Sequence, residues 1–226
     1  MPAELSVLQQ MLLHRKIHVA ERAYAQSGEG AQAHFSSGWG AAIESARLLG
    51  RLPETALGWW AEQPNGHLLL TADDDSYQNS YQNRLGSDEW VGVASLPMEW
   101  LVGDEAKALA AALRPLDHLL GCGCDPAGPW LSDGGGISPR WQRVGAQIIE
   151  LFSLGYGASP ASREDPHRYL AEGLAQALLD RRGLNANDPK LERLIFSSLL
   201  SEGFWRNFAR EGVPRELMDA DEHRKR

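Results

Sequence analysis

The chain has 226 residues, of which 43% are hydrophobic and 23% are charged. A chain of this size and composition can bury a hydrophobic core without disulfides or a structural metal. Its formal net charge of -8 disfavours general binding to the phosphate backbone of nucleic acids. We expect the basic runs at residues 14–16 and 223–226 to be solvated surface charges.

The sequence favours a reducing, cytoplasmic location. It contains no run of about eighteen apolar residues that could span a membrane, and residues 1–16 lack the charge pattern of a signal peptide. Two cysteines, Cys122 and Cys124, are too few for a secreted disulfide framework. As a Cys-x-Cys pair they supply too few ligands for a closed zinc site, so we interpret them as part of a loop.

The N-terminal part of the chain has the apolar spacing of helices. We predict one helix over residues 4–25, a second over residues 31–49 that Gly50 ends, and a short third helix with Pro53 in its first turn. Residues 1–64 are therefore predicted to form a helical hairpin unit. They form either a separate unit or one continuous domain with residues 65–226.

The next segment has the pattern of β-structure. After the turn signal Pro-Asn-Gly, residues 67–72 read as a strand. Residues 73–88 are polar and contain the tandem tetrapeptide Ser-Tyr-Gln-Asn, so we predict a solvated loop; its three aspartates lack the ligand spacing of a calcium loop. Residues 89–103 are β-rich, and Pro97 indicates an edge strand or a break between two strands.

The C-terminal half is predicted to be helical. One helix should run over residues 104–120, with a kink or restart at Pro115. A long Gly/Pro-rich loop and a helix over residues 140–157 follow, and Asp165 and Asp188 each precede a proline as the N-cap of a further helix. The predicted fold class is mostly α with a small β-sheet (α+β).

The order of several segments resembles the zincin metallopeptidases, in particular the branch of the anthrax lethal factor C-terminal domain. These segments are "LDHLLG", "LSDG", "RWQRVGAQIIELFSLGY" and "YLAEGLAQALLD", and the resemblance covers residues 91–208. It implies that residues 65–226 form a zincin-like α+β domain. In this branch one helix carries His-Glu-x-x-His, whose two histidines bind zinc and whose glutamate activates water, and a later helix supplies a further glutamate.

The residues that the motif requires are missing here. An alignment on "LDHLLG" places Ala110 and Ala111 where the first histidine and the glutamate belong, and Arg114 where the second histidine belongs. Glu172 matches the later glutamate. A methyl group cannot ligate zinc, so the resemblance implies a catalytically degenerate protein, a pseudoenzyme with a binding, regulatory or scaffold role. Arg114 could then pair with Glu172 in place of the metal.

Two other sets of residues could hold a metal. Asp117 and His118 could form a displaced site with His167 or Glu172, which would make the chain a metal-dependent hydrolase or peptidase with non-standard ligands and with zinc as its cofactor. The alternative is that Asp117 and His118 cap the end of their helix.

The second set lies in the predicted N-terminal helix. His14, His18 and Glu21 would share one face of that helix as a two-histidine, one-carboxylate set. The alternative is a solvated surface on which His18 and Glu21 pair across one turn.

A third interpretation is an unrelated α-rich protein-interaction module whose helices match by chance. If a zincin-like cleft exists, residues 121–136 and the strand over residues 91–94 would flank it. A protein or peptide partner could add to that strand. The candidate aromatic lining residues are Trp100, Trp130 and Trp141.

Overall fold

The computed structural model describes residues 4–82, 89–123 and 125–211. It is mostly helical with one four-stranded mixed sheet, so the predicted α+β class is confirmed. The strands are β1 (Ile17–Val19), β2 (His67–Thr71), β3 (Tyr77–Gln82) and β4 (Glu89–Pro97). The α-helices are α1 (Val7–Lys16), α2 (Ala23–Gln26), α3 (Glu29–His34), α4 (Gly38–Leu49), α5 (Glu54–Glu62), α6 (Trp100–Gly103), α7 (Glu105–Cys122), α8 (Pro139–Phe152), α9 (Pro166–Leu179), α10 (Arg181–Asn187), α11 (Pro189–Ser197) and α12 (Glu202–Glu211).

The strand order in the sheet is β1-β2-β4-β3. β1, β2 and β4 run parallel, and β3 pairs antiparallel to β4. Pro97 ends β4 opposite Thr71 of β2. The prediction that Pro97 marks an edge strand is wrong, because β3 covers the other side of β4. The polar loop predicted over residues 73–88 is also wrong for residues 77–82, which form the edge strand itself.

The predicted helix over residues 4–25 is interrupted by a strand. α1 ends at Lys16, whose buried ammonium donates hydrogen bonds to the main-chain carbonyls of Gln63 and of Asn65, the latter at 2.7 Å. Ile17 and Val19 then pair with β2. Both are β-branched, which favours a strand once a partner strand is present. The sheet therefore includes a strand from residues 1–64.

The segment predicted as one helix over residues 31–49 is two helices, α3 and α4. Ser37 is the N-cap of α4, and its hydroxyl accepts a hydrogen bond from the main-chain N–H of Gly40. One hydrophobic core includes residues on both sides of residue 64, among them Leu12, Leu49, Leu109 and Leu174. Such shared burial ties the N-terminal helices to the sheet and to the C-terminal helices.

The predicted helix starts in the C-terminal half are confirmed. Asp104, Asp165 and Asp188 each accept a hydrogen bond from the first turn of α7, α9 and α11 respectively. α7 is continuous to Cys122, although we expected a break at Pro115. Among the residues that the structure describes, no helix is both long enough and apolar enough to cross a membrane.

Candidate functional site

A cavity of about 650 Å³ lies between α7 and α9. Small side chains make up much of its lining: Ala106, Ala110, Ala111, Ala158, Ala171 and Ala175. A cavity persists there because methyl groups leave open the space that longer side chains would fill. Ala110, Ala111, Arg114 and Glu172, which the alignment singled out, all line it.

Arg114 is held by two contacts at this cavity. Its guanidinium forms an ion pair with Asp75, which precedes β3, and its Nε donates a hydrogen bond to the Ala111 carbonyl at 3.4 Å. The Arg114 side chain is only 17% exposed. The expected pairing of Arg114 with Glu172 is therefore replaced by a pairing with Asp75, a residue that sequence reasoning had left in a solvated loop.

Glu172 has a different neighbour. Its carboxylate accepts a hydrogen bond from the Ser159 hydroxyl at 3.1 Å. Ser159 stands in the segment between α8 and α9 and also lines the cavity. The sequence offered no signal for Ser159, because a single serine in a connecting segment has no distinguishing pattern.

Charged and polar groups stand along the rest of the cavity wall. Lys107 pairs with Asp104 at 3.0 Å near the start of α7, and Arg168 pairs with Asp165 at 3.7 Å near the start of α9. The Oε1 atom of Gln176 is buried and has no hydrogen-bond partner within the described part of the chain. An unsatisfied buried amide oxygen costs free energy of folding.

Beside the cavity, the Trp130 ring is stacked between two imidazoles. The ring centroids of Trp130 and His118 are 5.0 Å apart with an interplanar angle of 6°, and those of Trp130 and His167 are 4.1 Å apart at 11°. His118 Nδ1 lies 2.6 Å from the Tyr77 hydroxyl, and His167 Nε2 lies 2.9 Å from a carboxylate oxygen of Asp133. Burial lowers the pKa of His118, so it is neutral at physiological pH.

Asp117 points into the protein at the end of α7. Its carboxylate accepts hydrogen bonds from the Ser132 N–H at 2.9 Å and from the Ser132 hydroxyl at 2.7 Å. Burial raises the pKa of Asp117 to about 7, and the two hydrogen bonds from Ser132 oppose that shift. Both side chains are buried, so Asp117 anchors the Gly-rich loop to α7.

The displaced ligand set is therefore not brought together. Trp130 separates His118 from His167, Asp117 is bound to Ser132, and Glu172 contacts Ser159. Among residues 4–82, 89–123 and 125–211, no group of three or more His, Cys, Asp or Glu side chains is arranged to hold a metal. Cys124 lies outside the described residues, which leaves the Cys-x-Cys pair unplaced.

The N-terminal set is also dispersed. His14 lies in the last turn of α1 near Trp39, His18 lies in β1, and Glu21 is exposed beside Arg22. The three residues do not share a helix face, because the helix ends before His18.

His18 instead belongs to a cluster with His67, which sequence reasoning missed. His18 Nε2 lies 3.1 Å from His67 Nδ1, and both rings stack on Trp90. Burial and then the nearby charge of Lys16 lower the pKa of each imidazole to about 4. His67 was visible in the sequence only as the first residue of a strand.

The candidate cleft residues have separate roles. Trp100 lines the cavity, Trp130 stacks on the two histidines, and Trp141 is buried against Phe204 and Trp205. The strand over residues 91–94 has no free edge, because β2 and β3 flank it. The prediction that a peptide adds to that strand is therefore wrong.

Comparisons of the chain with protein-family models, with curated proteins and with solved structures found no match.

Proposed function

We propose that this chain is a catalytically degenerate zincin-like protein that binds an elongated small molecule in the cavity between α7 and α9. One observation carries the proposal. Ala110, Ala111, Arg114 and Glu172 were aligned with the metal site from the sequence alone, and all four line the same cavity. The alignment requires the later glutamate to face these three positions of α7, and this arrangement supports the proposal.

The chemistry of the cavity favours binding over catalysis. Ala110 and Ala111 offer only methyl groups, which neither ligate a metal nor transfer a proton. Arg114 carries a positive charge that is already compensated by Asp75. The positions that would activate water are thus occupied by groups that can contact a ligand but cannot attack it.

The shape of the cavity indicates the kind of ligand. Along α7, Ala110 and Ala111 lie between the charged residues Lys107 and Arg114, and all four line the cavity. A helical rise of roughly 1.5 Å per residue separates Lys107 and Arg114 by about 10 Å along α7. A molecule with an apolar middle and polar ends would bury its hydrophobic part on the alanines and place its ends near Lys107 and Arg114.

The alternative functions have less support. A metal-dependent hydrolase needs convergent ligands, and the geometry around Trp130 keeps His118 and His167 apart. An unrelated α-rich module would not need a sheet beside α7, whereas Tyr77 of the edge strand contacts His118 of α7 directly.

The binding function can be tested with the fluorescent dye 1-anilinonaphthalene-8-sulfonate, which has an apolar ring system and one charged group. We expect saturable binding to the wild-type chain. Ala110→Phe should weaken it at least tenfold by filling the cavity, a change of about 1.4 kcal/mol. Ala146→Phe is the matched control, because Ala146 is exposed on α8 outside the cavity.

Circular dichroism should show that both variants are folded. Equal dye affinity in the wild type and in folded Ala110→Phe would refute the assigned cavity. Zinc near one equivalent per purified wild-type chain would instead support the hydrolase.

A further inference from the structure

The outer edge of β3 has features that edge strands usually avoid. β3 lies at the end of the sheet, and Gln78, Asn79 and Ser80 are exposed. Natural proteins protect such edges with charges, prolines or very short strands. β3 has six residues and contains neither a charge nor a proline. At the other end of the sheet β1 has only three residues, so its edge is protected by its length.

The main-chain groups that face away from β4 can be assigned from the ladder. Ser95 N–H donates to the Ser76 carbonyl at 2.9 Å, and hydrogen-bonded positions alternate along an antiparallel pair. Tyr77 stands opposite Ala94, Gln78 opposite Val93 and Ser80 opposite Val91 in one unchanged register. The alternation along β3 therefore directs the N–H and C=O groups of Tyr77, Asn79 and Tyr81 outward. They form a row of donors and acceptors that another strand can satisfy. On β4 the ladder is interrupted beside Asn79, where Gly92 has a φ of 71° and the Val91 carbonyl accepts a hydrogen bond from the Gly66 N–H.

The repeated tetrapeptide makes this edge complementary to itself. An antiparallel pairing of two β3 strands centred on Asn79 places Tyr77 of one chain opposite Tyr81 of the other. The same register places Gln78 opposite Ser80. No like charges meet across this pairing, while the Tyr77 and Tyr81 rings keep their own contacts with Trp130 and Trp90. The three outward residues of each strand would form about six main-chain hydrogen bonds with the second copy.

The side chains of β3 carry no charge that would repel a second copy. The chain as a whole carries a net charge of -8, so two copies repel each other over most of their surfaces. The β3 side chains are uncharged, and the carboxylate of Glu89 on the neighbouring strand is engaged by the Ser80 hydroxyl. β3 is therefore a place where two acidic molecules can approach.

We propose that β3 is the interface of a homodimer, in which two chains pair antiparallel about a two-fold axis at Asn79 to give a continuous eight-stranded sheet. This interface is separate from the cavity between α7 and α9, so either proposal can fail without the other.

The first test is sedimentation equilibrium of the full chain. The wild type should have twice the mass of one chain. Asn79→Pro should raise the dimer dissociation constant at least tenfold, because it removes an outward N–H and leaves the ladder to β4 intact. Asn79→Thr is the matched control and should remain dimeric. A monomeric wild type up to high concentration, or an unchanged dimer in folded Asn79→Pro, would overturn the proposal.

A second test fixes the register. The hydrogen-bonded pair at the axis has a Cα–Cα separation of about 5.5 Å, within disulfide reach. Asn79→Cys should therefore form a disulfide between residues 79 of two chains under mild oxidation, with the linked peptide identified by mass spectrometry. Ser80→Cys, which lies off the axis, should cross-link far less. Equal cross-linking of the two variants would contradict the register and with it the interface.

Discussion

The Nε of Arg114 donates a hydrogen bond to the Ala111 carbonyl, the acceptor that Pro115 cannot serve. In an α-helix the N–H of residue 115 would bond to the carbonyl of residue 111, and proline has no N–H. Arg114 supplies the missing donor, and this explains in part why α7 continues through Pro115. Arg114 thus has a structural role in the helix besides its ion pair with Asp75.

A double-mutant cycle tests this relationship. Arg114→Met should cost about 1–2 kcal/mol of unfolding free energy, since a half-buried ion pair and a hydrogen bond are lost. In a Pro115→Ala background the restored N–H can bond to Ala111, so the same substitution should cost less. Urea denaturation of the four proteins measures both values. An equal cost in the two backgrounds would show that Arg114 does not compensate for Pro115.

Restoring the motif tests the zincin resemblance directly. The triple variant Ala110→His, Ala111→Glu and Arg114→His recreates His-Glu-x-x-His on the wall of the cavity that Glu172 shares. We expect about one zinc per chain by elemental analysis, because two histidines four residues apart on α7 and the carboxylate of α9 can meet one ion.

The control adds Glu172→Ala to the triple variant and should lose most of the bound zinc. If the folded triple variant binds no zinc, or binds it equally well without Glu172, the alignment with the zincin metal site is mistaken.

The buried carboxyl of Asp117 predicts a pH-dependent stability. Its folded pKa of about 7 lies above the ordinary value of 3.8, so between these values the folded chain holds a proton that the unfolded chain releases. The stability contributed by this group is present at acidic pH and is lost as the pH rises from about 4 to about 7. As the pH rises, we expect the unfolding free energy of the wild type to fall by about 2–4 kcal/mol more than that of Asp117→Asn. Denaturation at pH 5 and at pH 8 measures it, and parallel pH profiles would contradict it.

The paired imidazoles of His18 and His67 predict a pH dependence of stability opposite to that of Asp117. Their folded pKa values of about 4 lie below the ordinary value of 6.5. Their contribution is therefore complete above pH 6.5 and is lost as the pH falls towards 4. His67 Nε2 lies 3.1 Å from the Pro64 carbonyl and must donate to it, so its Nδ1 accepts from His18.

We expect His67→Gln to remove on the order of 2–3 kcal/mol of this acid-side pH dependence. Nuclear magnetic resonance of the imidazoles at pH 5 provides an independent check. Protonated His18 and His67 rings at that pH would contradict the assignment.

Local signals predicted part of the fold well. Asp165 and Asp188 were recognised as N-caps because the capping residue and the helix it begins are adjacent in sequence. β1 and β3 were missed for physical reasons. β1 has too few residues to show a periodicity, and β3 is polar on both faces, so neither has the alternation by which strands are recognised. Both strands are specified by the neighbours they pair with.

For the candidate site, too, the sequence identified some residues and missed others. The resemblance brought Ala110, Ala111, Arg114 and Glu172 to one place, and the structure places them on one cavity. Their partners Asp75 and Ser159 are distant in sequence and have no motif of their own. The prediction that His118 and His167 share a metal fails for the same reason, because Trp130 enters between them through a tertiary contact that no local pattern encodes.

The stacked ring of Trp130 gives the protein its own optical reporter. One face of the indole rests on the end of α7 through His118, and the other rests on the beginning of α9 through His167. Any widening of the space between these two helices must uncover one face of the ring. Once the emission of the seven other tryptophans is separated from it, the emission of Trp130 should record how far apart the two walls stand.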